Sequence, residues 1–251
     1  MKNSRQTKLL VIIALVLALT GMSLGFAAFS STLSISSSAS VTPNSNDFKI
    51  KIYGYSETTD DNISNINAYT SETTGYGFDE STGNALNTVA LINNTNLTIT
   101  GIDTQMTKPT DDHIFVFRIA NEGQYDAYFD LSQIKYSTPL SCVAESGTTE
   151  SLVAAACDDI SIETIITTEE CMEASVKYDK GEITEEEYSE YESTQIYTYG
   201  QTGKIRLEKN KSLFLFLAIY YAGNGNRADG PFSVTFEDIK LEFTTTPPNQ
   251  E

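Results

Sequence analysis

Apolar and polar residues alternate along much of this chain, the period of half-buried β-strands. Thr32-Leu33-Ser34-Ile35-Ser36-Ser37-Ser38-Ala39-Ser40-Val41 alternates strictly, and Phe48, Ile50 and Ile52 share a face opposite Lys49, Lys51 and Tyr53. Val89 to Ile92 and Leu97 to Ile102 read as two short strands around Asn93-Asn94-Thr95-Asn96. Ile114 to Ala120 and Leu213 to Tyr221 are apolar on both faces, the mark of central strands. After the turn Asn121-Glu122-Gly123, Ala127 to Leu131 returns as the next strand. Ile160 to Ile166 and Lys204 to Leu207 add two more. Phe232, Val234 and Phe236 alternate in one phase and Ile239, Leu241 and Phe243 in the other. The slip at Glu237-Asp238 predicts a β-bulge or a strand that switches sheets. Residues 56–85, rich in Ser, Thr, Asn, Asp and Gly, read as a long loop.

Residues 167–191 break the alternation. Thr167 with Glu170 and Thr184 with Glu187 have capping-box spacing, and Gly181 stands where a helix would end. Ile183 and Tyr188 are spaced as a hydrophobic staple. The reading is a short, acidic helical hairpin inserted between strands, a solvated surface element. With about nine short strands around it, the expected fold is all-β, a jelly-roll or Greek-key β-sandwich.

The N-terminus predicts export. Lys2, Arg5 and Lys8 precede an apolar run of 11 residues from Leu9 to Leu19, followed by a small-x-small site at Gly25-Phe26-Ala27. That is the plan of a signal peptide over residues 1–27, cleaved between Ala27 and Ala28. The alternative is retention as a membrane anchor, the one route by which this chain would engage a membrane. Thr20, Gly21, Ser23 and Gly25 dilute such a span, and no basic stop-transfer cluster follows. Residues 28–251 then form one β-domain, with a polar tail over 244–251.

Charge changes the list of partners. The chain has 34 acidic and 16 basic residues, net −18, and three of the basic ones lie before residue 28. Such a surface repels nucleic acid and anionic lipid. The absence of Trp beside 14 Tyr and 12 Phe suits an extracellular β-protein without the usual aromatic sugar platforms.

Chemistry is sparse. His113 is the single histidine, beside Asp111 and Asp112, and reads as a solvated loop residue rather than a triad member. Asp60-Asp61-Asn62 lacks the alternation of a calcium loop. No catalytic group, cofactor or metal site is expected. Export makes a disulfide feasible. Cys142 and Cys157 stand 15 apart at the edges of candidate strands, a loop whose closure is worth roughly 3 kcal/mol. Cys171 falls on the first predicted helix, where it is buried, free or available for an intermolecular bridge.

Several short segments together resemble a known group. Ala27-Ala28-Phe29-Ser30 with the Leu33-x-Ile35 strand resembles the N-terminus of TasA/camelysin-type proteins of Gram-positive bacteria. Ala39-Ser40-Val41-Thr42-Pro43, Asn121-Glu122-Gly123, Asp126-Ala127-Tyr128, Cys142 to Cys157-Asp158-Asp159-Ile160, and Ala228-Asp229-Gly230-Pro231-Phe232 resemble related surface proteins. The resemblance implies export through a SipW-type signal peptidase, a jelly-roll sandwich and extracellular biofilm fibres built by an N-terminal strand inserted into the neighbouring subunit. Here that strand would carry Leu33, Ile35, Ala39 and Val41 on its apolar face. The shared cysteine pattern, together with export, implies a Cys142–Cys157 bridge. The protease activity described for some camelysins is not carried over to a chain with one histidine. The expectation is a secreted or surface-bound structural protein that self-associates. The alternative is a monomeric adhesin binding glycan or host protein through residues 56–85 and the acidic hairpin.

Overall fold

The structure is a computed structural model describing residues 47–58, 63, 65–130, 135–136, 141–198, 204–222, 227–236 and 238–245. The proposed signal peptide, cleavage site (Ala27, Ala28), N-terminal strand (Leu33, Ile35, Ala39, Val41) and Asp60-Asp61-Asn62 lie outside those residues. The strands run β1 Ile50–Tyr55, β2 Tyr69–Ser71, β3 Thr74–Asp79, β4 Asn84–Asn93, β5 Thr98–Thr100, β6 Asp103–Met106, β7 Asp112–Asn121, β8 Ala127–Asp130, β9 Lys135–Tyr136 and β10 Ser141–Ala144. Helix α1 Glu150–Cys157 follows, then β11 Ile160–Thr168, α2 Glu169–Asp179, α3 Glu185–Gln195, β12 Ile196–Thr198, β13 Lys204–Leu207, β14 Ser212–Tyr221, β15 Phe232–Thr235, β16 Ile239–Lys240 and β17 Phe243–Thr244.

The fold is all-β and antiparallel, with a helical insertion. The largest sheet runs β12-β11-β14-β7-β3-β4-β5-β16-β9, with β1 also on β7 and β2 on β1. Two three-stranded sheets, β10-β15-β6 and β13-β8-β17, complete it. Strand β7 is the spine. Residues 112–120 pair with β14 along one edge, while the other edge is shared, β3 taking residues 113–115 and β1 taking 117–121. Its sequence is apolar on both faces because both are covered. Phe115, Phe117 and Ile119 enter the main core with residues of the two small sheets, among them Phe129, Ile205, Phe232 and Val234. Val116 enters a second cluster with Tyr55, Tyr69, Phe78, Met172 and Phe214. Truncating a ring such as Phe115 or Phe117 to Ala would cost about 3–5 kcal/mol.

Several sequence expectations need correction. Residues 56–85 are not a long loop, since they hold a 3-10 turn, β2, β3 and the start of β4. Strand β3, Thr-Gly-Tyr-Gly-Phe-Asp, hides its period because Gly75 and Gly77 occupy alternate positions. The Phe117 and Phe115 rings lie over those glycines, and the Phe117 ring comes within 3.0 Å of where a Gly75 side chain would begin. Strand β8 does not pair with β7 but joins β13 and β17 in another sheet. Cys157 ends helix α1 rather than edging a strand. One expectation holds: between β15 and β16 the chain switches sheets, as the slip in alternation predicted.

The helical hairpin is present. Its first cap is Thr168, one residue later than the spacing suggested, its side chain accepting from the Cys171 amide at 3.2 Å. Thr167 is still in β11 and buried. The second cap is the expected box, Glu187 accepting from the Thr184 amide at 2.8 Å and Thr184 Oγ1 from the Glu187 amide at 3.2 Å. Gly181 has φ +68° between the helices, a conformation that favours glycine. The Tyr178 and Tyr188 rings stack at 5.1 Å and close the hairpin.

Candidate functional site

The described titratable side chains converge most clearly at the start of β7. His113 is not a solvated loop residue. It lies within β7, is 3% exposed, and its Nδ1 hydrogen-bonds Thr104 Oγ1. The pattern that hid this is the pair of aspartates before it, which gives a strand start the look of a loop. Burial pulls the His113 pKa down against the opposing charges of Asp79 and Asp111.

Each neighbouring carboxylate has its own task. Asp111 is buried and closes the β6–β7 loop, accepting from the Thr107 and Lys108 amides at 2.6 and 3.0 Å and from Thr107 Oγ1 at 2.8 Å. Asp79, opposite His113 in the β3–β7 register, holds the next turn by accepting from the Ser81 and Thr82 amides at 2.9 and 3.2 Å. Burial would raise its pKa, but those bonds and the His113 ring hold it below the usual range. Asp112 is different. Its Oδ1 is buried without a hydrogen-bond partner, and its backbone carbonyl accepts from the Glu80 amide at 2.9 Å. Burial, then Glu80, Asp79 and Glu163, push its pKa up to about 7. Glu80 and Asp112 are 32 positions apart in sequence, and no local pattern announced the pair.

Among the described residues, no group of three His, Cys, Asp or Glu side chains is placed to hold a metal ion. The one imidazole is sealed beneath the sheet surface.

The cysteines stand as the cysteine pattern implied. Cys142 on β10 is bonded to Cys157 at the end of α1, with Cα atoms 5.9 Å apart. The bridge suits an oxidising compartment. Cys171 is a free, buried thiol on α2, its pKa raised by burial. The motif Asn121-Glu122-Gly123 is a structural pin. Asn121 donates to the Tyr125 and Leu207 carbonyls at 2.9 and 3.1 Å and accepts from the Gly123 amide at 3.0 Å, tying β7 to the β8–β13 sheet. No helix among the described residues is long and apolar enough to cross a membrane.

No family model, no curated protein and no solved structure matches this chain.

Proposed function

We propose that this chain is an exported structural protein of the cell surface or biofilm matrix, a fibre subunit that assembles through its N-terminal strand. One observation carries the reading. The sheets are open, and among the described residues the end strands β12 and β10 pair on one side only. An open edge is a template for a further strand. The alternating segment Thr32 to Val41, beside Pro43, is suited to supply one. Donation to a neighbour is a head-to-tail contact, which propagates into filaments. The disulfide fits an oxidising exterior, and the resemblance to TasA/camelysin-type proteins points the same way.

The adhesin reading keeps one supporting feature. Helix α3 carries Glu185, Glu186, Glu187, Glu190 and Glu192, and along Glu185–Ser193 only Tyr188 is even half-buried. Its other proposed surface, residues 56–85, is largely strand. Size-exclusion chromatography and electron microscopy of the secreted protein, with and without residues 28–41, separate the two readings. Polymer that vanishes on deletion supports the fibre subunit. A full mature protein that stays monomeric at high concentration and low pH, where carboxylate repulsion is relieved, supports the adhesin.

A further inference from the structure

The strands of one small sheet are not equally covered. On the inward face, Phe232 and Val234 of β15 are fully buried, while their cross-strand partners on β10, Ala144 and Cys142, are only half-buried. The cover over the core thins at β10, the last described strand of that sheet. On the outward face Val143 is 57% exposed.

The ladder fixes which backbone groups face the free edge. The Glu145 amide donates to the Pro231 carbonyl at 3.1 Å. These two residues continue the β10–β15 register, so theirs is a hydrogen-bonded position, and in an antiparallel pair such positions recur at every second residue. Ser141 and Val143 therefore direct their amides and carbonyls to β15, and Cys142 and Ala144 turn theirs outward. Among the described residues no backbone group meets them there. Helix α1 reaches β10 through the Cys142–Cys157 bridge, a side-chain link that supplies no ladder.

Sheet edges are usually guarded by charge, proline, a bulge or shortness. Strands β9 and β13 carry Lys135, Lys204 and Arg206. Strand β6 carries Asp103, whose carbonyl accepts from the Thr88 hydroxyl, and β2, β12 and β17 have three residues or fewer. Ser141-Cys142-Val143-Ala144 has four residues, no charge, no proline and an unbroken register. On such an edge, over a thinning core, an added strand gains both a ladder and burial.

We propose that β10 is the acceptor edge for residues 32–41 of a neighbouring copy, whose Leu33 and Ile35 lie inward beside Cys142 and Ala144 and extend the core past them. The inference rests on the fibre reading and adds to it the strand that receives the arm. Thr32 to Val41 is uncharged, as β10 is, so the pairing meets no charge repulsion between the two strands in a chain of net charge −18. Small Cys142 and Ala144 leave room for larger branched neighbours. The arm precedes Asp47, whose carbonyl accepts from the Gln124 amide at 2.9 Å, just before β8 of the other small sheet. Its tether thus belongs to a different sheet from β10, which suits donation to a second copy.

The experiment is hydrogen exchange on the full mature protein, monomeric and polymerised, read at the Cys142 and Ala144 amides. Both should exchange at least about tenfold more slowly in the polymer, while the Val143 amide, already bonded to β15, changes little. Ala144→Pro removes one free-edge amide and leaves the β15 ladder intact, so this variant should fold and fail to polymerise. Should it not fold, the wild-type exchange decides alone. Polymer formed equally by wild type and a folded Ala144→Pro leaves the fibre reading standing and overturns this acceptor. So does protection gained at β12 in place of β10. Equal protection of the two amides in monomer and polymer would mean that one copy covers its own edge, and overturns it as well. Wild type that never polymerises removes the fibre reading and the acceptor with it.

Discussion

Asn94 stands against the edge of β1 in place of a strand. Its Oδ1 accepts from the Ile52 amide at 2.6 Å and its Nδ2 donates to the Ile52 carbonyl at 3.0 Å. The same Nδ2 donates to the Glu72 carbonyl at 3.0 Å, joining β1 to the β2–β3 turn. One side-chain amide thus completes the hydrogen bonding of a fully buried residue's backbone.

Removing that amide strands the Ile52 donor and acceptor together. Asn94→Ala should lower unfolding stability by about 1–3 kcal/mol, read from the midpoint of a denaturant curve. Asn94→Asp keeps the acceptor and loses the donor, so its cost should remain close to that of Ala. An Asp variant as stable as wild type would mean water replaces the Nδ2 bonds.

Central strands were the most legible part of the sequence. Leu213 to Tyr221 and Ile114 to Ala120 are apolar on both faces, a pattern that neither a half-exposed strand nor a surface helix produces. The sheet switch at Glu237-Asp238 was legible too, because alternation keeps its phase within one sheet. Strand β3 was not, because glycines occupy the face on which Phe115 and Phe117 lie, and only the fold supplies those rings. The Glu80–Asp112 contact and the Asn94 amide were equally hidden. Each joins residues far apart in sequence, and their chemistry exists only once β3 meets β7 and the β4–β5 turn meets β1.

Gly54 marks the crossing of β1 and β3 on the shared edge of β7. A side chain there would collide with the Thr74 carbonyl and the Gly75 backbone, neither of which can turn aside. Gly54→Ala should therefore destabilise by at least about 2 kcal/mol, well beyond an ordinary strand Gly→Ala change. A thermal midpoint within a degree of wild type would show that β1 and β3 can separate here.

The Cys142–Cys157 bridge closes a loop containing the end of β10 and all of α1. Replacing both cysteines with Ser should lower stability by about 2–4 kcal/mol on the chain-entropy argument. Non-reducing peptide mapping should find the bridge in secreted protein. Thiol titration should find Cys171 slow to react until denaturant is added, since it is buried and its thiolate is disfavoured. Rapid labelling of Cys171 in native protein would mean that α2 lifts from the sheet.

His113 sets a pH limit of opposite sign to that of Asp112. Burial lowers its folded pKa below the 6.5 of the free side chain, so the unfolded chain takes up the proton first. The stability contributed by neutral His113 is fully present above pH 6.5 and is lost as pH falls from there through the folded pKa. Asp112, raised from 3.8 to about 7, contributes stability that is present below pH 3.8 and lost as pH rises toward 7. The two windows overlap, so the wild-type profile alone does not separate them. Differences between variant and wild type do. His113→Gln, which can keep a hydrogen bond to Thr104, should gain stability relative to wild type as pH falls below 6.5. Asp112→Asn should gain relative to wild type as pH rises from 4 to 7. Thermal midpoints across pH 4 to 8 give both difference curves. If the His113→Gln difference is constant with pH, the imidazole is reached by solvent and its burial does not govern the acid limb.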